Sequence, residues 1–514
     1  MNAMSNRAQP LHALLLSTLL LPCACGDSGG GGEGSDEAND GTGDDDGDES
    51  SESTEYARGI TIDVLEVNQG VAVPIVAGGD WVPGIERNSA IVSGRKALLR
   101  AYWVTEPDFE PREIEARLTL TYEDGSTHEE SIEVFVDAPS SPNDIQRSFY
   151  FDLVEEEVAS GMDFSVALYE TEPSSAPLPE TLPVYPLDGA PAAVGVQSEP
   201  LELEIVIVPV HVQWPGCSTT PPAAELLQLF EDMMYMKNPT QSVTLSIRDE
   251  PIVLTQTLGS LWDMMAPLQA AREADGAQPW QYYYGLMDGC TTGIDGAGGM
   301  AFSTPPPTQE VDWQRVATGL WYGDDQWAAD TFVHEVGHLQ GLAHVYCPGK
   351  DADDPDPEYP HDDGEIGVWG FGLRDLQLYN PTAAHDYMSY CYSGNWSSDW
   401  TWTKNWNRIR ELTSWNDGAS PARAPQDILV GVIPDDGSDP LWWIANTRGG
   451  VSREDEHAAV ALGRGVDGPT RALPAAMHRV ADGDATVVSV ELDGQPLEAL
   501  SVGGLDVPAH LLSR

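Results

Sequence analysis

Eleven residues, HEVGHLQGLAH from His334 to His344, hold three imidazoles, one carboxylate and two glycines. His334 and His338 are four apart. At about 100° per residue they lie roughly 40° apart around a helix and one turn along it, which suits two imidazoles on one divalent ion. Glu335 sits beside the first of them, placed to reach a water rather than the ion. His344 follows His338 by six residues, and on a continuous helix it would face about 240° away. It can join the same ion only if the helix stops between them. Gly341 lies in that interval, and glycine readily takes the left-handed conformation that ends a helix. Upstream, Asp324 and Asp325 are plausible N-caps for the helix that must carry the first two histidines.

The segment matches H-E-x-x-H-x-x-G-x-x-H and resembles the signature of the metzincin zinc metallopeptidases. Downstream, HDYMSYC places Met388 44 residues after His344 and resembles that family's Met-turn. The resemblance covers about residues 200–420. It implies that His334, His338 and His344 bind Zn²⁺, that Glu335 is the general base and that Met388 supports the site; taken alone, Met388 would read as an ordinary buried methionine. Tyr390 has the spacing of the tyrosine that, in astacins and serralysins, binds zinc at rest and swings to stabilise the oxyanion. The stretch DGAGGMAFS is implied to be the edge strand that pairs with an extended peptide; its glycines fit a plain loop equally well. The resulting expectation is an exported zinc-dependent endopeptidase acting on an extracellular protein or glycoprotein. The rival readings are a zinc amidase acting on cell-wall peptides and a surface-anchored binding lipoprotein with a vestigial zinc site. The intact Glu335 argues against the last. The loop 350–365, KDADDPDPEYPHDDGE, offers eight acids and is a candidate for Ca²⁺, with a solvated loop as its plainer reading.

These residues need elements to hold them. The chain has 514 residues, and a prior of about 150 per domain suggests three domains. A net charge of −58, from 25 basic and 83 acidic residues, excludes nucleic acid as a partner. Arg7 precedes the apolar run LHALLLSTLLLP and the stretch CACGD. Residues 1–25 therefore read as a signal peptide of lipoprotein type, with Cys25 as the lipidated residue and an extracytoplasmic destination, secreted or anchored at the cell surface. Residues 26–55 carry twelve acids, no Lys or Arg and nothing apolar to bury, as expected of a disordered tether. A membrane is thus a partner only through a lipid anchor; the oligomeric state is left open.

From Ile60, short alternating runs separated by turn residues predict an N-terminal β-sandwich over 56–198, with YEDGST as a hairpin turn. Residues 199–419 mix β-branched runs such as LELEIVIVPVHV with helical periods such as PAAELLQLFEDMMYM. Residues 420–514 turn β-like again. The fold class expected is α+β: a metzincin-like catalytic domain between an N-terminal β-sandwich and a small C-terminal β-domain. Four cysteines remain after the leader, Cys217, Cys290, Cys347 and Cys391, and in an exported chain they suggest two disulfides with three possible pairings. Given the zinc site that the resemblance implies, Cys347 and Cys391 each follow by three residues a segment that converges on the ion. They are expected to pair, leaving Cys217 for Cys290.

Overall fold

The strand Arg112–Thr121 buries every second residue and runs antiparallel to Thr127–Val136 across the YEDGST turn, where Gly125 has φ +82°. Alternation of this kind places one face on a core and one in solvent. In the computed structural model, which describes residues 55–512 except 173–180, 291–293, 295–296, 351–354, 392–393, 418–423, 453–457, 467 and 481–484, this hairpin belongs to the second of two antiparallel N-terminal sheets. The first is built around Ile60–Asn68, flanked by Ala72–Ala77 and Ala97–Thr105. Leu65, Val67, Leu99 and Phe151 of the first sheet share one core with Ile114, Leu118, Phe164 and Leu168 of the second.

The middle region is built on a mainly parallel sheet. Its order is Cys217–Thr219, Glu202–Trp214, Tyr282–Asp288, Val316–Trp321 and, antiparallel at the edge, Gly299–Ala301. Ser242–Ile247 and Ile252–Leu254 pair in parallel with Glu202–Trp214. The period of two divides the long strand between two cores. Leu203, Ile205 and Ile207 face helices α1 (Ala223–Lys237) and α3 (Asp325–Leu339). Val208, Val210 and Val212 face helix α2 (Met265–Ala274). Helix α4 (Asp399–Ser414) closes the first layer through Ile409 and Leu412.

The C-terminal residues form a seven-stranded antiparallel sheet. Ile428, Val430 and Val487 on one face join the core under α2, while Leu429, Val488 and Val490 on the other build a separate core. The three stretches that composition separates therefore share cores. Trp402 of α4 is buried among the N-terminal strands, and Val92 of the N-terminal region lies in the core of α1 and α3. The structure is a β-rich α+β fold.

Two disulfides close it, Cys217–Cys290 with Cα atoms 6.0 Å apart and Cys347–Cys391 at 5.6 Å, which is the expected pairing. No helix among the described residues is long and apolar enough to cross a membrane. The expected signal peptide, the lipidation at Cys25 and residues 26–54 of the tether lie outside the described residues.

Candidate metal centre

Helix α3 begins where its sequence says it should. Asp324 is the N-cap and its side chain accepts a hydrogen bond from Trp327 N at 3.0 Å, while Asp325 is the first helical residue. The helix ends at Leu339. Gly341, at φ +90°, donates its N–H to His338 O at 2.8 Å, and Leu342 N donates to Gly337 O at 3.1 Å. That pair of bonds is the Schellman closure, which satisfies the last carbonyls and reverses the chain. The reversal brings Leu342 O to His338 Nδ1 at 2.8 Å and returns His344 to the helix face.

The nitrogen atoms that His334, His338 and His344 offer an ion all lie within 4.8 Å of one another, and all three residues are buried. His334 Nε2 and His338 Nε2 are 3.2 Å apart. His334 Nδ1 lies 2.9 Å from Tyr387 O. A carbonyl only accepts, so Nδ1 of His334 and of His338 carries a proton and donates, which leaves each Nε2 as the atom that a neutral ring offers to an ion. Two Nε2 atoms at 3.2 Å are close enough to share either a proton or one bound cation. The donor set of three neutral imidazoles suits a divalent transition ion of the zinc class.

Met388 is fully buried beneath the helix, and a Cβ placed on Gly337 would lie 2.5 Å from its Sδ. The segment after His344 pairs with the Met388 segment, Val345 N donating to Met388 O at 3.0 Å, and the Cys347–Cys391 bridge follows directly. Tyr390 is brought into the same cluster: its hydroxyl lies 2.8 Å from His344 Nε2. The Glu335 carboxylate packs against the edge strand, where a Cβ on Gly299 would lie 2.4 Å from Oε1. Burial together with the nearby Glu335 charge holds the Tyr284 phenol well above its ordinary pKa.

Some supporting residues were not anticipated from the sequence. Asp386, fully buried, accepts from Met388 N at 2.9 Å and Ser398 N at 3.0 Å and so fixes the turn. Burial raises its pKa, against the pull of these hydrogen bonds. An aspartate two residues before the Met388 N–H is a turn signal that the sequence did contain. Tyr387 O and Leu342 O, as acceptors for the ligand imidazoles, leave no trace in side-chain types. His361 is paired with Asp399 Oδ1 at 2.7 Å, and the backbone of His385 pairs with that of Glu365.

In the acidic loop, residues 351–354 lie outside the described residues. Asp356 turns inward to Lys404 and Trp400, and its N–H donates to His344 O at 2.8 Å. Among the described residues, the three histidines are the group whose spacing could hold an ion, and no carboxylate cluster joins them.

No family model and no curated protein matches the sequence. A solved structure of a calcium-binding mutant of Bacteroides uniformis β-glucuronidase 2 aligns over 85% of this chain at 9% identity with a TM-score of 0.14, and the chain spans 60% of that protein's length. A likeness that slight carries no argument about fold or function.

Proposed function

We propose that the chain is an exported zinc-dependent endopeptidase of the metzincin kind, hydrolysing peptide bonds of extracellular proteins. The observation that carries this reading is the buried convergence of three imidazole nitrogens beside a carboxylate that lies against a sheet edge. His334, His338 and His344 would hold the ion. Zinc bound there supplies Lewis acidity toward a carbonyl and a nucleophilic water at neutral pH.

The chain's own residues do the rest. An extended substrate would lay its scissile carbonyl alongside Glu335, beside the last strand of the sheet, Gly299–Ala301, whose three residues are buried. Glu335 takes the proton of the attacking water and passes it to the departing amine as the C–N bond breaks. Tyr390 donates its hydroxyl to the carbonyl oxygen as negative charge develops there. The two disulfides favour an oxidising compartment, which fits the exported leader read from residues 1–25.

The test is Glu335→Gln beside His338→Ala. Glu335→Gln should retain about one zinc per chain, read by elemental analysis, and lose peptidase activity by about 10²-fold or more. His338→Ala should lose both. Full proteolysis by a zinc-loaded Glu335→Gln protein would eliminate the mechanism, and a wild-type protein that binds no zinc would eliminate the site.

A further inference from the structure

We propose that the turn Asn68–Ala72, in the N-terminal β region, is a positioning element of the metal centre and acts on His334 through Trp396 and Tyr387. The inference rests on the reading of the three histidines as metal ligands. The flanking strands are, on this view, part of the site's support and not a separable module.

The contact begins at Gly70. Its carbonyl accepts the indole N–H of Trp396 at 2.7 Å and the backbone N–H of Phe371 at 3.3 Å. Trp396 is fully buried and stacked on Tyr379, ring centroids 3.8 Å apart. Its backbone clasps the stretch just before Met388. Trp396 N donates to His385 O and Tyr387 N donates to Trp396 O, both at 2.8 Å. Tyr387 O is the acceptor for His334 Nδ1 at 2.9 Å. Three hydrogen bonds, joined by Trp396 and Tyr387, thus run from Gly70 to a ligand imidazole.

The turn is held from behind as firmly as it holds. Arg95, fully buried, donates from Nε and Nη2 to Gln69 O at 3.0 and 2.8 Å. The same guanidinium donates to Thr240 O at 2.7 Å and Tyr235 O at 2.6 Å, at the end of α1. Gln69 is tied by its amide to Val92 and Arg95, and Asn68 Nδ2 reaches Trp369 O at 3.1 Å. Gly70 is required twice over. Its φ is +142°, and a Cβ there would lie 2.4 Å from the Trp402 ring and 2.9 Å from Met236 O. Any larger residue must displace the turn or the Trp402 ring, and with it the Gly70 carbonyl that Trp396 binds.

The orientation of a ligand imidazole is set by the partner of its other nitrogen, and loss of such a partner lowers metal affinity about 10- to 100-fold. Perturbations one residue further out, at Trp396, or two, at Gly70, should sit at the low end. The test uses the full chain with Gly70→Ala and Trp396→Phe, the latter keeping the ring stack while removing the N–H. Leu118→Ala, in the same N-terminal core but away from the turn, controls for general loosening. Zinc affinity is measured by competition with a chelator, and ligand geometry by the visible spectrum of the cobalt-substituted protein. All are read well below each variant's Tm.

Gly70→Ala and Trp396→Phe should each bind zinc about tenfold more weakly and shift the cobalt bands, while Leu118→Ala lowers Tm and changes neither. Should Gly70→Ala not fold, Trp396→Phe decides alone. Wild-type affinity and spectrum in a folded Trp396→Phe protein would overturn the proposal, as would equal losses in Leu118→Ala. Neither result touches the ligand assignment, which fails only if the wild-type chain binds no metal.

Discussion

At Gly337 two effects of opposite sign meet. A glycine inside a helix costs roughly 0.5–1 kcal/mol relative to alanine, so propensity alone favours Gly337→Ala. The added Cβ would lie 2.5 Å from Met388 Sδ and 3.0 Å from the Tyr387 ring, in a fully buried layer. Overpacking of a well-filled core costs about 1–3 kcal/mol, which exceeds the propensity gain. Gly337→Ala should therefore lower Tm despite being the better helix former, and it should cost less in a Met388→Ala background, where the clash is gone, than in the wild type. A single variant more stable than wild type, by thermal unfolding of the metal-free protein, would show that Met388 yields freely. The same logic explains why glycine stands at 299, where the Glu335 side chain occupies the space a Cβ would take.

Helix α3 was legible because its signals are local. Asp324 starts it, the i, i+4 histidines give its face, and Gly341 ends it where His344 must turn back. The strands of the N-terminal region were legible for the same reason, since alternation is a property of adjacent residues. Ser242–Ile247 was missed: it is a half-exposed strand whose residues include two serines and a threonine. The links around the metal centre were beyond local reading, because Trp396 and Gly70 are 326 positions apart and meet through a carbonyl. The loop before Met388 holds a further non-local clamp. His361 Nε2 lies 2.7 Å from Asp399 Oδ1 at the start of α4, and Asn88 of the N-terminal region binds the other oxygen at 3.1 Å. The bond to Asp399 raises the His361 pKa above 6.5; burial opposes this, and the Asp399, Asp386 and Glu365 charges add to the rise. A folded pKa above the unfolded one means that the folded chain holds the proton more tightly. The stabilisation is then fully present below about pH 6.5 and fades as pH rises through the folded value. The Tm deficit of His361→Ala against wild type should be larger at about pH 5.5 than at about pH 9, and a pH-independent deficit would mean that uncharged contacts, with Gly367 and the Tyr359 ring among them, are the whole contribution.

For the whole molecule, a net charge of −58 means that the chain repels itself, and the compact state must be held against that repulsion. Two cross-links contribute, and they differ in where they act. Cys347–Cys391 closes a loop of 44 residues, worth about 4 kcal/mol in the chain-entropy model. Cys217–Cys290 closes one of 73 residues, worth roughly the same, since the dependence on length is logarithmic. Stability alone would not distinguish them. Their positions do: the first joins the segment after His344 to the segment after Met388, whereas the second links Cys217–Thr219 to the chain just past Tyr282–Asp288. Replacing either pair by serine should lower the equilibrium unfolding free energy to a similar extent, because both release comparable entropy to the unfolded chain. Only Cys347→Ser/Cys391→Ser should also speed zinc loss to a chelator at 25 °C. Without that bridge, the third imidazole is held by non-covalent contacts such as Val345 N–Met388 O, Asp356 N–His344 O and the Tyr390 hydroxyl. Equal zinc-release rates in the two double variants would show that the hydrogen bonds suffice and that the bridge acts on the unfolded chain alone.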